Sequence, residues 1–83
     1  MTTMSLDIIR TKIKELYETN PHIHMNVSLS HPKLVLNNAL ATIKGVYAHT
    51  FQIEENTNGI SRTHIIQYTD ILIKNVTILE LKE

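Results

Sequence analysis

Five histidines are the side chains in this sequence best suited to chemistry, and two of them have the spacing of a metal-binding pair. His22 and His24 lie two residues apart in an alternating segment, so on a strand both rings point to the same side of a sheet. A catalytic zinc needs a third ligand and further groups that orient the rings, and His31 is a conceivable third ligand. Two histidines at strand spacing are not a specific signal, because an exposed strand face also carries histidine at its polar positions. We therefore predict that the protein binds no metal ion and uses no cofactor.

Nucleophiles and converging carboxylates are scarce in this chain. It has no cysteine, and neither Ser28 nor Ser30 lies in the context of a nucleophile elbow. Glu54 and Glu55 are consecutive, so on a strand they point to opposite faces, whereas two catalytic carboxylates must converge on one substrate. Only two glycines are present, too few for a phosphate-binding loop. The sequence therefore predicts no catalytic residues and no enzymatic activity.

Length, charge and cysteine content are typical of a small cytosolic domain. The 83 residues and 9.5 kDa predict one domain over 1–83. Eight basic and eight acidic side chains give zero net charge, which excludes a strongly basic arm and an acidic tail. The lack of cysteine fits a reducing compartment. No apolar run approaches the ~18 residues of a membrane span, and the start lacks the apolar core of a signal peptide. We expect a cytoplasmic protein without a membrane segment.

Apolar spacing predicts one long helix at the start of the chain. Ser5 has the side chain of an N-cap, and Asp7 follows in the first turn, where the helix dipole favours an acid. Apolar residues recur along one helical face: Leu6, Ile9, Ile13, Leu16 and Tyr17. Asn20-Pro21 ends the pattern, because the residue before a proline avoids the helical region. The helix is therefore placed at 5–18.

After Pro21 the apolar period changes from 3.6 to 2, and the rest of the chain has strand character. Twelve Ile, four Val and ten Thr outnumber three Ala, and β-branched side chains favour strands. Alternation and turn signals predict five strands: 22–29, 34–47, 50–55, 60–67 and 74–81. The second strand is expected to bulge or bend near Asn37-Asn38 and to curve at Gly45. Asn56–Gly59 is the clearest hairpin turn, and 68–72 has the pattern of a single helical turn.

A helix followed by five short strands has the element order of SH3-like and Sm-like barrels. Strands that bend and close on themselves remove most of the exposed edge of a flat sheet. We therefore predict a mainly β fold, with a five-stranded SH3-like or Sm-like small barrel over 22–81 after the helix. The alternative is an open α+β sheet with the helix across it. The expected core is Leu6, Ile9, Ile13, Leu16, Ile23, Met25, Val27, Ile43, Phe51, Ile53, Leu72, Val76 and Ile78.

An apolar excess in the second strand indicates a contact surface. Leu34, Val35 and Leu36 are followed closely by Ala39 and Leu40, and a single strand cannot turn all of these side chains to one core. The side chains left over form an exposed patch, which on a small monomer usually marks an interface. Leu34, Val35, Leu36 and Leu40 are the candidate self-association surface, and we expect a homodimer that binds another protein.

Nucleic-acid binding is the alternative function, because small barrels often bind nucleic acid. The candidate contacts are Lys33, Lys44 and Arg62, which fall on or beside predicted strands. Such proteins need several cations on one face and free aromatic rings for stacking. The basic residues here are scattered, and the apolar pattern assigns most of the three Tyr and one Phe to the core. Protein binding is therefore favoured.

Two segments of the chain resemble the Veg family, small proteins of Gram-positive bacteria once grouped only as a domain of unknown function. Residues 41–53 are similar to the strand–turn–strand of the family, in which a tyrosine closes one strand and a phenylalanine follows the turn. Tyr47 and Phe51 fall on those positions. Tyr68–Leu72 is similar to the motif that precedes the last strand of the family.

The resemblance also has a departure and a functional implication. Family members usually carry a basic, glycine-rich turn after the first strand, and of that charge this chain keeps only Lys33. The resemblance implies a diverged member: a small cytosolic barrel without enzymatic activity. It further implies a role in regulating biofilm or developmental gene expression through protein contacts.

Overall fold

Two helices and five strands form the chain, which the computed structural model describes over residues 5–30 and 33–81. The elements in chain order are α1 (Leu6–Thr19), β1 (His22–Ser30), β2 (Lys33–Val46), β3 (Thr50–Thr57), β4 (Ile60–Gln67), α2 (Tyr68–Leu72) and β5 (Val76–Ile78). Their order and most of their bounds agree with the sequence prediction. The last strand is shorter than predicted, because Lys74 has a φ of 66° and the Asn75 N–H turns back to the Asp70 carbonyl at 2.9 Å.

The first helix, Leu6–Thr19, begins and ends within one residue of the predicted 5–18, and Ser5 is its N-cap as predicted. The hydroxyl of Ser5 accepts a hydrogen bond from the Ile8 N–H at 3.3 Å, which satisfies one free donor of the first turn. Ile9 and Ile13 are fully buried against the sheet. The prediction that Leu6 belongs to the core is wrong: it is 44% exposed, because it lies at the rim of a cleft between the first turn and residues 48–50.

The five strands form one antiparallel sheet with the order β4-β3-β2-β1-β5. β4 and β5 are its two edges, and within the described ranges they do not pair with each other, so the predicted barrel closure is not found. The coarser prediction of a mainly β fold behind an N-terminal helix is confirmed. The short helix α2 contacts both β4 and β5 and lies between the two edges.

Two bulges bend β2 at the positions that the sequence indicates. Met25 pairs with Ala39 but Val27 pairs with Leu36, so β2 carries one extra residue at the Asn pair. Asn38 takes up that residue with a φ of 49°, and its N–H donates to Oδ1 of Asn26 at 2.7 Å. The second bulge lies at Lys44, since the pairing with β3 shifts between Ile43 and Gly45.

The β1–β2 hairpin extends beyond the rest of the sheet. β2 has 14 residues, but β3 pairs with it only over Ala41–Val46. Residues 33–40 therefore have β1 on one side and no strand on the other within the described part of the chain. The β3–β4 hairpin ends instead at Asn58-Gly59, where φ values of 55° and 79° match the two-residue turn expected from Asn-Gly.

The core lies between α1, α2 and one face of the sheet. Its buried apolar members are Ile9, Ile13, Ile23, Met25, Val27, Ala41, Ile43, Phe51, Ile53, Ile66, Tyr68, Ile71, Val76 and Ile78. The prediction that Leu72 is buried is wrong, because Tyr68 and Ile71 take the core side of α2 and leave Leu72 41% exposed. Leu16 is partly buried at the margin of the core.

Candidate functional site

The two histidines with the spacing of a metal-binding pair lie on the exposed side of β1, and each contacts a different polar side chain. Nδ1 of His22 is 3.2 Å from the Thr42 hydroxyl, and the His24 ring contacts Glu80. His31, the conceivable third ligand, lies outside the described residues. Over residues 5–30 and 33–81, no group of three histidine or acidic side chains has the geometry to hold a metal ion. In the described part of the chain, each of the two rings makes a hydrogen bond.

Glu80 ties the segment after β5 to β1. One carboxylate oxygen accepts from the His24 backbone N–H and the other contacts His24 Nδ1, both at 2.8 Å. Burial raises the pKa of Glu80, but hydrogen bonds from the His24 ring and backbone outweigh it, so that this pKa lies below its usual value. Because the ionised carboxylate only accepts, Nδ1 of His24 donates, which fixes the ring tautomer.

Replacement of Glu80 by glutamine is expected to lower the stability at neutral pH by about 1–2 kcal/mol, since hydrogen bonds to an ionised group are lost. A carboxyl whose pKa is lowered by folding stabilises the fold fully above its unfolded pKa. That contribution disappears as the pH falls through the lower folded pKa. The variant should therefore lose part of the acid-induced drop in stability below about pH 4.5. Urea unfolding at several pH values measures this, and an unchanged acid limb would contradict it.

Glu54→Gln is the matched control for that experiment. Glu54 lies on β3, and its nearest cation is Lys44 at 3.9 Å on the surface. Exposed pairs of this length contribute little to stability, so the control should stay within about 0.5 kcal/mol of the parent.

A buried carboxylate lies on the core side of β3. Glu55 is in phase with Phe51 and Ile53 and is 2% exposed, whereas Glu54 is on the outer side, as the alternation predicts. Oε1 of Glu55 is 3.4 Å from Nε2 of His64 on β4. Sequence analysis missed this pair; its signal was a charged residue in phase with two core residues. The two glutamates do not converge on a common point.

The three candidate nucleic-acid contacts do not come together on one surface. Lys33 is at the tip of the β1–β2 hairpin. Lys44 lies on the outer side of the sheet beside Glu54, and Arg62 is directly opposite Glu55, whose side chain faces the core. A phosphate backbone needs several cations along one face, and these three residues do not supply it.

The four residues of the candidate self-association surface lie on two sides of β2. Leu34 and Leu36 are partly buried and pack against the core. Val35 and Leu40 are on the outer side and are 56% and 58% exposed. Strand alternation separates Val35 from Leu34 and Leu36, and the extra residue at the Asn pair then places Leu40 on the same side as Val35. Only Val35 and Leu40 of these four therefore present an open apolar surface.

Comparisons with known proteins find no match for this chain: no protein-family model, no curated protein and no solved structure matches it significantly. Among the described residues, no helix is both long enough and apolar enough to cross a lipid bilayer.

Proposed function

We propose that this chain is a non-enzymatic regulatory protein that acts by binding proteins, the first of them a second copy of itself. The edge of β2 over residues 33–40 carries the proposal, since it has no neighbouring strand on one side within the described chain. Strand edges of this kind present backbone N–H and C=O groups for pairing with another chain.

The length and side chains of this edge favour pairing between two copies. Residues 33–40 extend over about 26 Å of strand at ~3.3 Å per residue. An antiparallel pairing of two such edges around a twofold axis uses the same surface of both copies. Val35 and Leu40, both more than half exposed, then lie on the outer face of one continuous sheet. There they contact the corresponding residues of the second copy and lose exposed apolar area.

A second proposal concerns the class of small barrel to which this mainly β fold belongs. We infer an SH3-like or Sm-like barrel that stays open between β4 and β5. The order of helices and strands supports this, as do the two bulges that bend β2. The contacts of α2 with both β4 and β5 add further support, because they cover the gap between the two edges.

The cellular role is proposed from the resemblance to the Veg family. Residues 41–53 and Tyr68–Leu72 carry that resemblance. On this basis the partner is a cytoplasmic protein that takes part in the control of biofilm or developmental gene expression. Nucleic-acid binding is the rival, and the dispersed positions of Lys33, Lys44 and Arg62 weigh against it.

Sedimentation equilibrium over a range of concentrations tests the dimer. At high concentration the mass should approach twice the 9.5 kDa of one chain. The double substitution V35K/L40K should weaken association about 100-fold or more, because it removes apolar contacts and places lysines of the two copies side by side. Circular dichroism should show that this variant keeps its fold, since both side chains are exposed.

Ile65→Lys is the matched control, because Ile65 is also 56% exposed but lies on the β4 edge. It should leave the dimer intact. A parent protein that stays at 9.5 kDa throughout contradicts the proposal. A dimer that dissociates on Ile65→Lys and not on V35K/L40K contradicts the choice of edge.

A further inference from the structure

The backbone groups of β1 face the two neighbouring strands in alternation, as in any antiparallel sheet. The Ser28 N–H donates to the Asn75 carbonyl at 2.8 Å, and the His24 carbonyl accepts from the Leu79 N–H at 2.9 Å. Even-numbered residues of β1 therefore direct their N–H and C=O groups toward β5 and the residues beside it, whereas odd-numbered residues direct theirs toward β2.

Three residues of β2 direct their backbone groups to the free side of the strand. Leu34 and Leu36 pair with odd-numbered residues of β1, so their N–H and C=O groups face β1. Lys33, Val35 and Leu40 pair with even-numbered residues, so their groups point away from β1. No described strand lies on that side of the segment, and these groups are therefore open to pairing with a second chain.

The bulge in β2 determines which residue lies at the middle of this edge. Asn37 and Asn38 share the single position opposite Asn26 of β1. The eight residues of 33–40 therefore occupy seven positions along the edge, and Leu36 has three of them on either side. When two such edges pair around a twofold axis, the middle residue of the edge lies opposite itself.

Other alignments of the two edges use fewer of the free backbone groups. In an antiparallel pair, opposing residues direct their backbone groups either both toward each other or both away from each other. A slide of one residue breaks this match along the whole edge. A slide of two residues keeps the match but leaves two of the seven positions without a partner. The alignment centred on Leu36 therefore forms the most hydrogen bonds.

The inner face of the edge favours the same alignment. Leu34, Leu36 and Ala39 are turned to the core side and are partly buried in a single copy. In this alignment Leu36 contacts Leu36 of the second copy, and Leu34 lies opposite Ala39 of the second copy. Apolar side chains therefore meet on both sides of the axis and lose the area that a single copy leaves exposed.

The charge on the edge is compatible with this alignment. Lys33 is the only charged residue in 33–40. The two copies of Lys33 lie at opposite ends of the paired segment, about 20 Å apart at ~3.3 Å per residue, so their repulsion is screened by salt. Each lies opposite Leu40 of the other copy, against which the aliphatic part of the lysine side chain packs.

We propose that two copies pair with Leu36 on the twofold axis, which places Lys33 of each copy opposite Leu40 of the other. This inference rests on the proposed dimer and deepens it, because it names the register of the two edges and the residues that meet. In this register the two apolar cores join across the axis, and the second copy completes the burial of Leu36.

Single-cysteine variants of the full chain test the register, because the parent sequence has no cysteine. Where the backbone groups of two opposing residues face away from each other, their Cα atoms are about 4.5 Å apart, within the ~4.4–6.8 Å that a disulfide spans. Leu36→Cys should therefore form a cross-linked dimer with oxidised glutathione, visible on a non-reducing gel.

Leu34→Cys is the matched control, since Leu34 is also a partly buried leucine of the inner face. Its two copies are about 13 Å apart along the strands in the proposed register. Leu36→Cys should cross-link about tenfold faster than this control or more. Equal rates for the two variants, or a faster rate for Val35→Cys than for Leu36→Cys, would overturn the register.

An equal mixture of Leu34→Cys and Ala39→Cys gives a second readout that leaves Leu36 unchanged. These two residues lie opposite each other in the proposed register, so the mixture should cross-link although neither variant does so alone. A mixture that cross-links no faster than its components would contradict the register even if Leu36→Cys disturbs the fold.

Sedimentation of the parent separates this inference from the dimer itself. A parent that stays monomeric overturns both. A parent dimer in which neither Leu36→Cys nor the mixture cross-links overturns the register alone. Adding V35K/L40K to Leu36→Cys should abolish the cross-link, because L40K sets a lysine opposite Lys33 of the second copy. A cross-link that persists in this triple variant would place the contact on another surface.

Discussion

Replacement of Phe51 by alanine is expected to lower the free energy of unfolding by about 3–5 kcal/mol. Phe51 is the largest fully buried side chain, and its ring stacks on Tyr68 with the centroids 5.7 Å apart and the planes 12° from parallel. A chain of this size has a total stability of roughly 4–12 kcal/mol. The loss is therefore a large fraction of the total stability, and at the lower end of that range the variant is unfolded at room temperature.

Urea unfolding followed by circular dichroism measures this loss, and Ile65→Ala is its control. Ile65 is a neighbour of Phe51 across the β3–β4 pairing but lies on the exposed side, with 56% of its surface open. Its truncation should cost about 0.5 kcal/mol or less. Similar losses for the two variants would show that the two faces of the sheet have been assigned wrongly.

Replacement of Ile13 by alanine is expected to lower the free energy of unfolding by about 2–5 kcal/mol, the second large effect. Ile13 is fully buried where α1 covers the sheet, and its truncation leaves a cavity that two packed elements cannot easily close.

Ile8→Ala is the matched control on the same helix, since Ile8 is 37% exposed. Thermal unfolding of the two variants should give a clearly larger drop in midpoint for Ile13→Ala. A helix that docks through a different face would reverse this order.

Local patterns in the sequence were sufficient to predict most of the helices and strands and their buried faces. The spacing of Ile9 and Ile13 identifies the helix face that is buried, and the strict alternation over 22–29 identifies Ile23, Met25 and Val27 as core. Both patterns reflect interactions between residues close in the chain. The bulge near the Asn pair was predictable for the same reason, and the structure shows that Asn38 takes it up with a positive φ, which asparagine tolerates.

Features that depend on distant parts of the chain were not predictable. Closure between β4 and β5 depends on the curvature accumulated over all five strands, and the pattern within any one strand does not report it. The free edge at 33–40 exists because the pairing of β2 with β3 ends at Ala41 and Glu55, and β3 itself ends at Thr57. The separate patterns of two strands do not give the register in which they pair. Alternation separates Val35 from Leu34 and Leu36, and the bulge places Leu40 on the side of Val35, although the sequence had grouped all four residues as one surface.

The polar contacts of the candidate sites were also not predictable from the sequence. Glu80 and His24 are 56 residues apart, and neither has a sequence context that indicates the other. Tyr47 and Gly45 are close in the chain, but the folding of the ring over the glycine depends on Gln52 of the next strand. These contacts require three-dimensional geometry, whereas the residue types alone indicated only possible donors and acceptors.

Amide hydrogen exchange measured at several protein concentrations tests most directly whether the β2 edge is the surface through which this chain binds a second copy. Pairing of two edges should slow the exchange of amides in 33–40 as the concentration rises, because strand hydrogen bonds form only in the dimer. The amides of Ile60–Gln67 on the other long edge should exchange at the same rate throughout. Exchange in 33–40 that does not depend on concentration, or protection that appears in Ile60–Gln67 instead, would contradict the proposed function.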